Sequence, residues 1–284
     1  MAYSNNTFYL RRRGFTLVEL LAVISIISLL MSILLAALNM ARCQAKAMLC
    51  LSNLRQMGLA VYFYAADYDG YFPPGYQYQD NIYWWGQKLP DRIDHTKGFF
   101  WPYIKSELKK KSLYECPSQP YGSYKLQAKH PGQPDDPKWI TSTYGYNDYY
   151  LSSPCAVRAE VRASGHPWQK MTTVTNPSKV FVFADTLLDW DDTGRKPDVS
   201  NNALLEPPDL YKGSGWEKND FPTTCFRHRD KTAVVFADGH CRLMGLEDGQ
   251  YSHPVSKIGS VGTTNAPHYV PDYESWPVSG RRQR

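Results

Sequence analysis

The first part of the chain lacks three kinds of residue. Residues 1–14 contain no acidic side chain, so the positive charges of Arg11, Arg12 and Arg13 have no counterweight there. No cysteine precedes Cys43, and no proline occurs in residues 39–66. Without proline a helix can run through that region unbroken. Without acidic residues, the arginines favour a cytoplasmic N-terminus for any membrane segment that follows them.

Residues 15–38 are almost entirely apolar. Their only polar side chains belong to Thr16, Glu19, Ser25, Ser28 and Ser32. As a helix this segment would be about 36 Å long, which exceeds the roughly 30 Å thickness of a hydrocarbon core. We therefore predict a transmembrane helix over residues 15–38, with the remainder of the chain exported.

Three other interpretations of the N-terminus explain less. A secretory signal peptide has an apolar region of only about 7–15 residues. A twin-arginine signal fits Arg12 and Arg13, but Glu19 would lie within its apolar region. An ordinary single-pass anchor accounts for neither Gly14 nor Glu19. A carboxylate deep in lipid costs about 2.5–3.5 kcal/mol, so Glu19 is expected to have a partner.

The stretch from Arg13 to Leu21, Arg-Gly-Phe-Thr-Leu-Val-Glu-Leu-Leu, resembles the processing site of type IV prepilins and of type II secretion pseudopilins. The resemblance implies a leader peptide over residues 1–14, cleaved after Gly14 by a prepilin peptidase, and N-methylation of Phe15. It also implies that Glu19 pairs with the terminal amine of a neighbouring subunit. The implied partners are other pilin or pseudopilin subunits and an inner-membrane assembly platform, in a bacterial inner membrane or a fibre.

An amphipathic helix is predicted to continue through residues 39–70. Apolar residues recur there at alternating spacings of 4 and 3, which is the pattern of one helix face: Cys43, Ala47, Cys50, Leu54, Met57, Val61 and Tyr64. The helix should end at Gly70 and Pro73. Asp67-Tyr-Asp-Gly resembles the start of a calcium loop, but the closing glutamate is missing, which favours a helix end.

The predicted fold class is α+β, with the long helix packed on a small antiparallel sheet and long loops. The globular head should span residues 71–250, and residues 251–284 should form an irregular tail. Residues 72–143 are rich in proline and predict long connections packed by aromatics. Strands are predicted at Ser142–Asn147, Lys179–Asp185 and Thr232–Asp238, the last joined to His240–Met244 by an Asp-Gly hairpin.

His228, nine further residues and then Asp238-Gly239 resemble a C-terminal signature of one pseudopilin-like branch. Cys50-Leu-Ser-Asn-Leu-Arg-Gln and Cys116-Pro-Ser resemble the same branch. The signature implies no enzymatic activity, so the protein is not expected to be an enzyme.

Six cysteines beyond the membrane segment suit an oxidising compartment. Cys43 and Cys50 would lie roughly 10 Å apart along the helix, too far for a disulfide, whose Cα atoms are at most about 7 Å apart. Our preferred pair is Cys50 with Cys116, which would tie the helix to the head. Buried free thiols are the alternative.

Candidate metal ligands form a weak pattern. Phe-Ala-Asp occurs twice, ending at Asp185 and Asp238, and both carboxylates could meet His228 if the two strands were neighbours. The crowded carboxylates of Asp189, Asp191 and Asp192 could bind structural calcium. Turn and hydrogen-bonding roles explain the same residues, so no cofactor is expected beyond that calcium.

The balance of charge argues against nucleic-acid binding. The chain has 32 basic and 27 acidic residues, and loss of the three arginines with the leader would lower the formal charge from +5 to +2. Two other functions compete with fibre assembly. The 8 tryptophans and 21 tyrosines could form an adhesin or carbohydrate-binding surface, and a metal-dependent enzyme is the weaker alternative.

Replacing Gly14 tests the predicted processing site. We expect Gly14→Ala, coexpressed with a prepilin peptidase, to remain full length in membranes, because the residue before the cut would have changed. Mass spectrometry would show a chain that still carries residues 1–14, whereas the wild-type chain starts at Phe15. Normal shortening of the variant would contradict the prepilin interpretation.

Overall fold

The computed structural model describes residues 15–90, 93–109, 111–119, 141–152, 167–190, 198–212, 215–248 and 251–276. The chain divides into two compact units, residues 1–42 and 43–284. Helix α1 (Leu17–Asp67) begins in the first unit and ends in the second. Its extent confirms the prediction of one long, unbroken N-terminal helix.

The second unit adds short elements to the end of α1. Its α-helical turns are α2 (Trp101–Ile104) and α3 (Asp148–Leu151). Its strands are β1 (Tyr76–Gln77), β2 (Ile82–Tyr83), β3 (Gly86–Lys88), β4 (Ile93–Asp94), β5 (Tyr144–Tyr146), β6 (Phe181–Asp185), β7 (Leu188–Asp189), β8 (Val199–Ser200), β9 (Asp209–Tyr211), β10 (Trp216–Lys218), β11 (Thr224–Cys225), β12 (Thr232–Phe236), β13 (Cys241–Met244), β14 (Tyr251–His253) and β15 (Ile258–Gly259).

Helix α1 ends as the sequence predicts. The Gly70 amide donates to the Ala65 carbonyl at 2.7 Å, and Gly70 adopts a φ of 81°. This left-handed conformation suits glycine and satisfies a carbonyl that the last helical turn would leave without a partner. Asp67-Tyr-Asp-Gly is therefore a helix end.

The predicted apolar face of α1 is buried from Ala47 onward, whereas Cys43 is exposed. Gly58 lies on this face against β12. A Cβ atom added to Gly58 would come within 2.9 Å of Val235 Cγ2, so the glycine allows the helix to approach the strand closely. The residues of the buried face are Ala47, Cys50, Leu54, Met57, Gly58, Ala60, Val61, Tyr64 and Ala65.

The central sheet is antiparallel, with the strand order β13-β12-β6-β5. It contains the three predicted strands and the predicted hairpin partner, which confirms that part of the sequence analysis. The β12–β13 turn places Gly239 at a φ of 85° and closes with a bond from Phe236 N to His240 O. Strands β6 and β12 are buried along their whole length.

Aromatic rings fill the space beside this sheet. Phe183 of β6 lies 5.2 Å from the Trp84 ring centroid, 5.8 Å from Phe100 and 5.0 Å from Tyr146. Buried Trp84 also donates from Nε1 to the Ala203 carbonyl at 3.0 Å. The aromatics of the proline-rich region therefore pack the core, as predicted.

Two regions contain more structure than the sequence indicates. Strands β1 to β4 form an antiparallel sheet within residues that predict loops. Strands β14 and β15 pair with each other and with β11, and Tyr269 and Val270 are fully buried, so the described residues 251–276 are not an irregular tail. Strands of two or three residues are too short to show a period-2 pattern, which is why these predictions were wrong.

Candidate functional site

The start of α1 is a continuous apolar surface. An 18-residue window of this helix has a mean hydropathy of 2.8, and none of it is buried. Phe15 is 70% exposed and Leu17 is 79% exposed. By length and composition this segment can cross a membrane, in agreement with the prediction for residues 15–38.

The three serines in this segment do not interrupt its apolar surface. Ser25 and Ser28 donate to the carbonyls of Leu21 and Ile24, four residues earlier, at 2.8 and 2.7 Å. Ser32 donates to the Leu29 carbonyl at 2.7 Å. Since each hydroxyl is bonded to its own helix, none needs water or a polar partner.

Glu19 forms a capping box with Thr16. Glu19 Oε2 accepts hydrogen bonds from Thr16 N and Thr16 Oγ1, both at 2.9 Å, and Glu19 N donates to Thr16 Oγ1 at 3.2 Å. The spacing Thr-x-x-Glu before an apolar run is the sequence signal of such a cap, although no cap was predicted at Glu19. Among the described residues, Glu19 thus has Thr16 as its partner. Gly14 lies outside the described residues.

A second group of polar side chains is buried in the head. Asp185, at the end of β6, accepts from Ala233 N through Oδ2 at 2.8 Å and from Cys50 Sγ through Oδ1 at 3.4 Å. His228 Nε2 lies 3.1 Å from Asp185 Oδ2 and 3.4 Å from Cys116 Sγ. We call Cys50, Cys116, Asp185 and His228 the four-residue cluster.

Arg227 places a positive charge beside this cluster. Its Nη1 atom lies 3.8 Å from Asp185 Oδ1, and the two side chains are 9% and 0% exposed. Burial alone would raise the pKa of Asp185, but the charge of Arg227 and the hydrogen bonds from His228 and Ala233 outweigh it and lower that pKa. Asp185 is therefore a buried carboxylate.

The pKa values of His228 and Cys116, two other members of the cluster, are shifted in opposite directions. Burial alone would lower the pKa of His228, but the hydrogen bonds and charges of Asp185 and Cys116 raise it to about 10. Burial alone would raise the pKa of Cys116, whereas hydrogen bonds from Cys50 and His228 and the charge of Arg227 bring it down to about 6. Cys116 is therefore the more easily ionised thiol, and burial raises the pKa of Cys50.

The structure separates the other predicted metal ligands. Because β6 and β12 are antiparallel, Asp185 and Asp238 lie at opposite ends of the sheet, and Asp238 bonds to His240 instead. The expectation that Asp185 and Asp238 meet beside His228 is therefore wrong for Asp238. Asp189 is buried and accepts from Ser256 Oγ and Asp198 N at 2.6 and 2.9 Å. Asp191 and Asp192 lie outside the described residues.

Cys50 and Cys116 come together as the sequence predicts, but both are free thiols in this structure. The disulfide between them stays a prediction. Cys225 and Cys241 are also free, and Cys155 lies outside the described residues.

Two family models match the chain. Residues 9–35 match the prokaryotic N-terminal methylation motif. The chain has a pilin-type N-terminus. Residues 39–165 match a protein family of unknown function (DUF1559). Neither a curated protein nor a solved structure matches the chain significantly.

A pilin-type N-terminus joined to a DUF1559 domain is typical of type IV pilin- and pseudopilin-like proteins. The motif covers Gly14, Phe15 and Glu19, the residues on which the resemblance was based. It implies processing by a prepilin peptidase and assembly with other pilins, and it favours a structural role over catalysis. The membrane-length helix behind the pilin-type N-terminus fits the anchoring that prepilins require.

Replacing Arg227 tests the importance of the buried charges. We expect Arg227→Met to lower the free energy of unfolding by about 3–5 kcal/mol, because Asp185 would stay buried without the guanidinium that faces its Oδ1 atom. Arg229, two residues away and exposed, provides the matched control Arg229→Met, which should change stability by less than about 0.5 kcal/mol. Denaturant unfolding of the full chain in detergent measures both, and equal stability of the two variants would contradict the prediction.

Proposed function

We propose that this protein is a structural subunit of a type IV pilus or a type II secretion pseudopilus. A prepilin peptidase cleaves it after Gly14, and its N-terminal helix assembles with those of other subunits on an inner-membrane platform. The N-terminus is cytoplasmic before assembly, and the head lies outside the inner membrane. The observation that carries the proposal is a fully exposed, membrane-length apolar helix directly behind a prepilin-type motif.

The exposed helix supports assembly because none of the residues that the structure describes covers its surface. The large apolar side chains from Phe15 to Leu35 are 45–79% exposed. Lipid covers such a surface before assembly, and the helices of neighbouring subunits cover it in a fibre. Both environments favour apolar side chains, so one segment serves as anchor and as assembly surface.

Glu19 supports the same proposal through its second oxygen. Oε2 takes part in the capping box, but Oε1 accepts no hydrogen bond from the described residues. The new amine on Phe15 of a neighbouring subunit can bind there and neutralise the charge. Glu19 would then cap its own helix with one oxygen and bind the next subunit with the other.

Three substitutions separate these two roles of Glu19. Glu19→Gln keeps an oxygen that can accept from Thr16 N but removes the charge. Thr16→Ala weakens the capping box and keeps the charge, and Glu19→Ala removes both. If the charge drives assembly, Glu19→Gln and Glu19→Ala are cleaved and inserted but poorly incorporated into fibres, whereas Thr16→Ala is incorporated like the wild type.

The measurement is the amount of each variant in fibres sheared from cells, relative to the amount in membranes. Loss of incorporation in Thr16→Ala but not in Glu19→Gln would assign Glu19 to the cap alone. Wild-type incorporation of Glu19→Ala would overturn the proposed role of this residue.

A second candidate function, carbohydrate binding by the head, rests on one pocket. The pocket has a volume of about 400 Å³ and is lined by aromatic rings and amides, including Tyr83, Trp190, Phe221, Asn202 and Asn219. Trp190 is 52% exposed. Flat aromatic faces beside amide groups are suited to stacking on a sugar ring while bonding its hydroxyls.

Tryptophan fluorescence tests this second function. If the pocket binds sugars, soluble polysaccharides change the emission of the wild-type chain, and Trp190→Leu loses most of that change. Tyr78→Leu, at a residue 75% exposed and outside the pocket lining, should respond like the wild type. An unchanged wild-type spectrum across a panel of polysaccharides would count against carbohydrate binding.

A further inference from the structure

The four-residue cluster joins four separate parts of the head. Cys50 lies on α1, Cys116 between α2 and β5, Asp185 at the end of β6, and His228 between β11 and β12. Their exposed fractions are 0%, 0%, 0% and 5%. One donor atom from each lies within 4.8 Å of the other three. Folding thus gathers two sulfurs, one oxygen and one nitrogen at a single buried point.

Three distances in this cluster are close to the edges of a tetrahedral zinc site. With bonds of about 2.3 Å to sulfur and about 2.0–2.1 Å to nitrogen and oxygen, adjacent donors are about 3.3–3.8 Å apart. The observed contacts are 3.4 Å for Cys50 Sγ to Asp185 Oδ1, 3.4 Å for Cys116 Sγ to His228 Nε2, and 3.1 Å for His228 Nε2 to Asp185 Oδ2. Asp185 thus directs Oδ1 toward Cys50 and Oδ2 toward His228.

The orientation of His228 fits a ligand better than a catalytic base. In a Cys-His-Asp relay the thiol contacts one ring nitrogen and the carboxylate contacts the other. Here Cys116 and Asp185 both approach Nε2. Donors that gather at the same nitrogen surround a common point, which is the arrangement around an ion.

The groups around the cluster also suit a metal. His228 Nδ1 lies 3.4 Å from Ser118 Oγ, the kind of outer contact that orients a ligating histidine. Ala233 N holds the Asp185 carboxylate at 2.8 Å. Buried Arg227 supplies a positive charge. When His228 gives up its proton to bind the ion, two thiolates, one carboxylate, a divalent ion and Arg227 have a total charge of zero.

We propose that Cys50, Cys116, Asp185 and His228 bind a single zinc ion that fastens the outer part of α1 to the central sheet. All four tetrahedral positions are filled by protein donors, which is typical of a structural rather than a catalytic zinc site. Two thiolates select zinc over calcium, which prefers oxygen ligands. A pocket of about 330 Å³ lined by Ala47, Arg229 and His228 lies beside the cluster.

The predicted disulfide between Cys50 and Cys116 is the competing state. It would engage two of the four donors and remove both thiolate charges from the neighbourhood of Arg227 and His228. Zinc engages all four donors and balances the buried charge. The two states exclude each other, because an oxidised pair has no thiolate to bind a metal.

The full chain, purified in detergent and dialysed against zinc and then against metal-free buffer, tests the proposal. Elemental analysis should find one zinc ion per chain, and the intact mass without reductant should show reduced thiols. Cobalt in place of zinc should give the visible absorption of a tetrahedral thiolate site. This readout uses the wild-type chain and does not depend on whether a variant folds.

Histidine variants provide a matched comparison. His228→Gln should lose the zinc, whereas His240→Gln, at the hairpin outside the cluster, should keep it. Ser118→Ala should bind zinc about 10–100-fold more weakly in competition with a chelator, because His228 would lose its outer contact. A wild-type chain without zinc, whether its thiols are free or joined as Cys50–Cys116, would overturn the proposal, as would zinc retained by His228→Gln.

Discussion

Helix α1 carries two apolar surfaces, and the rest of the structure depends on how they are covered. In residues 15–38 the apolar side chains are exposed all round, so that lipid or other helices must cover them. From Ala47 onward one stripe is buried by the central sheet, and Gly58 allows close packing on Val235. The first part of the helix can therefore serve as a membrane anchor and an assembly surface. Its last part packs against the central sheet of the head.

One group of buried charges in the head lies where α1 meets the central sheet. Cys50 is on the buried stripe of α1, and Asp185 connects it to β12 through Ala233 N. Arg227 and His228 supply the opposing charge to a carboxylate that burial alone would disfavour.

Sequence reasoning succeeded where the pattern was long or chemically specific. The 4-3 spacing predicted the buried face of α1, and Asp238-Gly239 predicted the hairpin. It failed for β1 to β4 and for residues 251–276. Strands of two or three residues are too short to show an alternation of apolar and polar side chains. The cluster of Cys50, Cys116, Asp185 and His228 could be predicted only in part, because the antiparallel pairing of β6 and β12 decides which aspartate meets His228.

Assembly through a processed N-terminal helix is the central claim, and one combined measurement tests it most directly. Fibres are sheared from cells that produce the protein, imaged by electron microscopy, and their subunits are analysed by mass spectrometry of the N-terminus. The account predicts filaments that contain chains beginning at a methylated Phe15. Chains that keep residues 1–14, or mature chains that never enter a filament, would contradict it.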